Sequence, residues 1–394
     1  MHDATYAPPE SLDRLRRRSL VIGVVALAAS GAGALIAPNQ FLHSYLLAFL
    51  FWLAAALGGL ALLMLQHMSG GGWGVVLRRI FEAAARTLPW MAVLFVPIAL
   101  GATRLYPWTD AARVAADRVL TEKALYLNLP FFFARAVLYF AVWCGLAWFL
   151  TKWSAEQDAS GAPALQPRMR AMSAIGLVLY VVTMTFASID WAMSLEPHWF
   201  STMYGFLFIG GQALMGLSVA IVMARRLSLE APMSSVFNAG HFHDFGKLLF
   251  AFTMVWAYLS FSQFLIIWSA NLPEEIPWYI HRMKGGWQSI GIGLMVFHFA
   301  VPFVVLVNRK TKRNSAILAG MALWMIAVRF LDLFYIIGPE AYPEGLRLHW
   351  LDIATVVGIG GIWVALFAAN LKSRPLLPLN DPELASALRG PEGH

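Results

Sequence analysis

Charge is what this 394-residue sequence has least of. Only 13% of its residues are Asp, Glu, Lys or Arg, while 59% are apolar. A soluble domain carries about 25% charged residues. Too few charges remain here to wet a globular surface, so most of that surface must face lipid, and a water-soluble protein with a large core is the weaker reading. Cysteine is almost absent: Cys144, inside an apolar run, is the only one. A single thiol excludes a disulfide, an iron–sulfur cluster, a thiolate metal site and a C-x-x-C-H haem attachment within the chain. Paired histidines are missing too. His43 and His67 stand at opposite ends of one apolar segment, and His298 has no mate at its depth, so facing imidazoles for a b-type haem are not found. Electrons therefore have no evident carrier in this chain. The net charge of +7 does not point to nucleic acid, because the cations sit at the ends of apolar runs, where membrane topology accounts for them.

Long apolar runs are what the sequence has in plenty. A helix needs about 20 apolar residues to cross about 30 Å of hydrocarbon. Ten segments qualify: 19–37, 42–67, 79–101, 126–151, 170–189, 203–224, 246–270, 288–307, 315–337 and 351–371. The expected fold is an all-α integral membrane protein, one polytopic domain over residues 1–394, with connections too short for a separate soluble domain. Arg14, Arg16, Arg17 and Arg18 precede the first run in the manner of a signal peptide, but the run is long for one and reads as an uncleaved span. Nineteen of the 29 Lys and Arg fall on one alternate set of connections and helix ends, and seven on the other. That asymmetry fits an even number of spans with both termini on the basic, cytoplasmic side. Ser154 to Gln166 reads as a polar linker, and the tail from Lys372, with Pro375, Pro378 and Pro382, as a segment along a partner or in solvent.

Ionisable side chains inside the spans need a partner or a role, since each costs at least about 2.5 kcal/mol at membrane depth. His298 lies near the middle of the eighth span, and Arg329 and Asp332 share one face of the ninth at i,i+3 spacing. Arg135 falls near the middle of the fourth span. Glu82 and Arg86 are spaced i,i+4 in the third, and Tyr258 lies at the middle of the seventh. One reading is a polar track for protons, in which an imidazole with near-neutral pKa and a buried carboxylate beside an arginine exchange protons through hydroxyls and water. The other is a set of closed ion pairs, Glu82–Arg86 and Arg329–Asp332, that lock helices together.

Two local motifs carry further chemistry. Ser188–Thr202 gathers Asp190, Trp191, Glu196, His198 and Trp199 at the outer end of the fifth span. Its carboxylates and imidazole suit a proton exit or entry; its tryptophans suit an ordinary interfacial belt. His243–Glu275 opens on the inner side with His243, Asp244 and Lys247 and leaves on the outer side with Asn271, Glu274 and Glu275. That pattern fits a conduction path and also an ordinary helix with interfacial ends.

These two motifs, the second together with Asp-Trp-x-x-Ser-Leu-Glu-Pro-x-Trp over residues 190–199, resemble the F subunit of alternative complex III. That complex is a bacterial quinol:cytochrome c (or other acceptor) oxidoreductase, and the subunit belongs to the polysulfide-reductase membrane-subunit (NrfD-type) superfamily. The resemblance covers nearly the whole chain. It implies two four-helix bundles, spans 2–5 and 6–9, flanked by spans 1 and 10, in a bacterial inner membrane. It implies a sister polytopic membrane subunit, an iron–sulfur subunit, haem c subunits and small membrane subunits, with lipids around them. Menaquinol or quinone, c-type haem and iron–sulfur clusters then belong to those partners, and no cofactor to this chain. It also separates the buried charges. His298, Arg329, Asp332 and Tyr258 fall in one bundle, and Glu82, Arg86 and Arg135 form a set in the other.

The expected function is a non-redox membrane subunit of such a complex, anchoring it and conducting protons through one half-route per bundle. A purely structural anchor and a quinol-binding subunit are the alternatives. A standalone transporter with helices broken at Pro89, Pro97, Pro130 and Pro302 is a third, against which the resemblance argues.

Overall fold

The computed structural model describes residues 6–389. It is 81% helical with no strands among the described residues. Among the described residues ten helices are long and apolar enough to cross a membrane: α1 (Ser11–Ile36), α2 (Pro38–Ser69), α3 (Gly72–Leu100), α4 (Leu129–Ser160), α5 (Leu165–Leu195), α6 (Tyr204–Leu227), α7 (Ala239–Ala270), α8 (Trp287–Val307), α9 (Ser315–Ala341) and α10 (Trp350–Lys372). All ten expected spans fall on them. Several ends differ. Ser154 to Ser160 continue α4 instead of forming a linker, and α7 starts early enough to contain His243 and Asp244.

The packing resolves into two rings. Helices α2–α5 contact one another in a closed four-helix group, α6–α9 form a second, and α10 with α1 lies against the first. The second helix is apolar on every face and is buried almost all round, as a helix without a polar stripe must be. Its seam with α6 joins the rings. Gly58 and Gly216 face each other there so closely that a methyl group on either would overlap the other helix's backbone. Small residues at that crossing let two backbones touch, which is how helices gain van der Waals energy in lipid, where the hydrophobic effect contributes little. Leu376 N–H donates to the Tyr6 carbonyl at 2.8 Å, so both ends of the described chain meet at the arginine-rich end of the bundle.

Three helices are broken in ways that place polar groups. In α3 the regular helix stops at Ala85, ahead of Pro89. In α8, Pro302 has no N–H for the His298 carbonyl, and the residues before it, Met295–Ala300, wind into one π-helical turn. In α9, Pro339 leaves the Tyr335 carbonyl without its helical donor.

Candidate functional site

The second ring holds a sealed polar cluster at depth. Asp332 of α9 pairs with Arg329 one turn before it. Trp256 of α7 donates its indole N–H to Asp332 Oδ2 at 3.1 Å, and its ring lies against His298, centroid to centroid at 3.7 Å. Gly211 of α6 provides the remaining wall, since a methyl there would overlap the Arg329 guanidinium. All four polar side chains are buried. Counting 1.5 Å per residue from the outer helix ends puts Asp332, His298 and Trp256 roughly 14–21 Å deep. Neither ring nitrogen of His298, nor Nε and Nη2 of Arg329, has a hydrogen-bond partner among the described residues. Buried polar atoms are rarely left so. The cluster therefore combines an acid held by two donors with an imidazole whose two nitrogens are open. The π turn carries His298 on its buried face and frees the Phe297 carbonyl on its exposed one, which accepts the Trp324 N–H at 2.8 Å.

The first ring carries two separate networks. At its outer end Arg135 clasps Asp190 through two parallel bonds, Nε to Oδ2 at 2.8 Å and Nη2 to Oδ1 at 2.9 Å, and the Tyr139 hydroxyl adds a third at 2.7 Å. The guanidinium also lies over the rings of Tyr126 and Phe131, 3.9 and 4.2 Å from their centroids. At the inner end Glu82 accepts from Ser154 at 2.5 Å, pairs with Arg79 at 2.6 Å, and receives Arg374 of the tail at 3.4 Å. Arg79 also reaches Asp158. Between the two networks α5 presents Ser173, Tyr180, Thr183 and Asp190 on one buried face, at intervals of seven, three and seven residues. Ser173 meets His67 at 2.9 Å, Tyr180 donates to Gln212 at 2.5 Å, and Thr183 accepts from Trp143 at 2.9 Å. The seven-residue steps leave gaps of about 10 Å, too long for a direct hydrogen bond.

Several expectations are corrected by this geometry. Tyr258 is 68% exposed on the outside of α7 and does not join the His298 cluster. Glu82 and Arg86 do not pair. The Arg86 N–H still donates to the Glu82 carbonyl at 3.0 Å, but its side chain reaches the end of α10, where it donates to Ser373 Oγ at 2.7 Å and to the Asn370 carbonyl at 3.3 Å. Arg135 does not join Glu82 and Arg86. Its helix begins at Leu129, which puts it about 9 Å from the outer end, and it pairs with Asp190 instead. The tail from Lys372 lies on its own chain.

The motif residues divide. Asp190 is buried as above. His198 is largely exposed and meets Asp117 at 2.6 Å, and Asp117 caps the short helix Arg118–Lys123 by accepting from Val119 and Leu120 N–H. The hydrogen bond from His198 holds the Asp117 carboxyl below the usual carboxylate range. Beside it Lys123 donates to the Pro197 carbonyl at 2.6 Å, and partial burial lowers its ammonium's pKa. Asp117, Glu196, His198, Glu274, His281 and Glu340 line an outer cavity of about 530 Å³. His243 and Asp244 sit half-buried near the start of α7, Asp244 with Lys247 at 3.0 Å, and they join neither ring's interior network.

Sequence reasoning missed Arg79, Asp158 and Arg282. Arg79 is one of the cations at the helix ends, and its i,i+3 spacing to Glu82 is the signal in the sequence. Arg282 is fully buried, stacks on Trp278 at 3.6 Å, pairs with Glu196 at 2.7 Å, and donates to the Tyr335 and Ile336 carbonyls at 3.0 and 2.6 Å. Pro339 was the available signal, because it frees the first of those carbonyls. Asp352 was missed as well; it accepts from Ser44, Tyr342 and the His349 N–H and ties α2 to α10.

Fold and site together define an all-α, multi-pass membrane protein with charged networks buried in both of its helix rings. No protein-family model matches the chain, and no curated protein matches it.

Proposed function

We propose that this chain is a membrane subunit of a bacterial quinol-oxidising complex of the alternative complex III type, carrying no redox group of its own, that anchors the complex in the inner membrane and conducts protons. The two long motifs and the two-ring packing support the family reading. On this reading the arginine-rich end faces the cytoplasm. Quinol, haem c and iron–sulfur clusters are carried by the sister polytopic subunit, the iron–sulfur subunit and the haem c subunits.

The observation that carries the proton role is the sealed set of His298, Trp256, Asp332 and Arg329 in one ring. A carboxylate and an imidazole are placed on either side of one tryptophan at a depth where an inert anchor has no need of either. The Arg135–Asp190 pair and the Glu82 network occupy the two ends of the other ring and serve as its terminal stations. The test is proton translocation per electron in vesicles holding the whole complex. Asp332→Asn and His298→Leu each lower that ratio, with assembly and cofactor content intact. Unchanged ratios remove both residues from the mechanism, and loss of assembly in place of proton yield assigns them to static packing.

A further inference from the structure

The tail after α10 does more than end the chain. Arg374 enters the inner mouth of the α2–α5 ring and donates to the Thr151 carbonyl at 2.8 Å, with Glu82 at 3.4 Å. Leu376 and Leu377 are buried behind it. The Leu379 N–H donates to Asp158 Oδ1 at 3.1 Å, and the Asn380 amide to the Asp158 carbonyl at 2.8 Å. Asp381 then forms an ion pair with Arg78 at 2.7 Å, both side chains inaccessible to solvent. Glu383 accepts from Gly71 N–H at 3.2 Å on the α2–α3 turn, and the Ala387 carbonyl meets His241 Nε2 at 2.9 Å on α7 of the other ring.

We propose that residues 373–389 are a built-in plug that closes the inner mouth of the α2–α5 ring and governs water access to Glu82. This goes beyond the proposed function and does not depend on it. A tail held only by its leucines would be an adhesive strip over an apolar floor, and its loss would let the helices close up. Here the floor is charged. Without the tail it holds Arg78 and Arg79 against Glu82 and Asp158, a neutral set. The tail adds one charge of each sign, Arg374 and Asp381, and the set stays neutral. Departure of the tail therefore strands no net charge. It does leave Arg78 with only the amide oxygens of Gln66 and Gln157, at 3.3 and 3.4 Å. A buried guanidinium in that position draws in water, since an unpaired charge in a dry site is far costlier than a hydrated one. The mouth hydrates when the plug leaves. The plug also spans both rings, so a shift of α7 at His241 is transmitted to the seat over Glu82.

The experiment reads water access directly. Thr151, whose carbonyl accepts from Arg374, is 5% exposed, and its hydroxyl donates to carbonyls of its own helix. Thr151→Cys in a Cys144→Ala background of the full chain, held in lipid nanodiscs, gives one reporter thiol for a charged, membrane-impermeant maleimide. With the native tail labelling is slow. The neutral double variant Arg374→Gln/Asp381→Asn raises the rate by about tenfold or more, at a helix content equal to the parent's. Equal rates in a folded double variant overturn the plug. Hydrogen exchange on the unaltered chain gives an independent reading should the variant fail to fold. Protected amides at Leu376 and Leu379 support the plug, and exchange at the rate of a free coil overturns it.

Discussion

Removing the charge of Asp190 asks whether a buried ion pair in this protein is held by its hydrogen bonds or by its electrostatics. Asp190 accepts three bonds, two from Arg135 and one from Tyr139. Side-chain hydrogen bonds inside membrane proteins average about 0.6 kcal/mol each, so losing three of them costs about 2 kcal/mol. Asp190→Asn does more than that. It turns an acceptor oxygen into an NH2 group facing a guanidinium, and it leaves Arg135 charged and buried with one neutral amide oxygen, the Tyr126 carbonyl and two aromatic rings in place of its counter-ion. Breaking a buried pair from one side costs about 3–5 kcal/mol, whereas replacing both partners by apolar groups is neutral or stabilising. Asp190→Asn is therefore expected to lose more than about 3 kcal/mol, and Arg135→Met/Asp190→Leu to recover most of it. Reversible unfolding in mixed detergent micelles measures both. A single variant costing under about 2 kcal/mol, or a double variant as unstable as the single, refutes the electrostatic account.

Other tests address separate parts of the structure. Gly58→Ala or Gly216→Ala forces the α2–α6 seam apart and is expected to cost about 1–3 kcal/mol, whereas Gly320→Ala, with open space at its Cβ position, is neutral or slightly stabilising; thermal denaturation of the three variants checks the contrast. Gly211→Ala displaces the Arg329 guanidinium, so proton translocation and stability fall together in that variant. The His198–Asp117 tie follows pH with a definite sign. The folded state lowers the Asp117 pKa, so the tie's contribution is complete above the ordinary carboxylate range and fades as pH falls through the lowered value. The protection factor of residues 110–123, exchange corrected for its intrinsic pH dependence, is therefore constant from neutral pH down to the ordinary carboxylate range and drops only below it; a drop near neutral pH refutes the assignment.

The number of spans was legible because crossing a membrane is a local property. Each run of about 20 apolar residues satisfies its own backbone as a helix and its own side chains in lipid, whatever its neighbours do. The basic end was legible for the same reason, since charge at a helix end is written in the segment itself. Partnerships were legible only in part. Arg329 and Asp332 could be paired from spacing, because the helix between them is unbroken. Glu82 and Arg86 obeyed the same arithmetic and still did not pair, because Ser154, Arg79 and Arg374 take the Glu82 carboxylate while Arg86 finds acceptors at the end of α10. Arg135 was misplaced in depth by the early start assigned to its helix, and Tyr258 by the unknown rotation of α7 about its axis.

What the sequence by itself determined is therefore an all-α chain of ten spans, the end at which its cations gather, and the costly residues that must be buried somewhere. What only the tertiary structure decided is which of those residues meet. Trp256 bridges Asp332 to His298, Asp190 answers Arg135 across 55 positions, and a tail expected along a partner or in solvent seats Arg374 and Asp381 in the first ring. The reason is physical. The energy of a span is summed along the chain, whereas the energy of a buried charge depends on a partner a few ångströms away, brought there by helix rotation, proline breaks and glycine-thin seams.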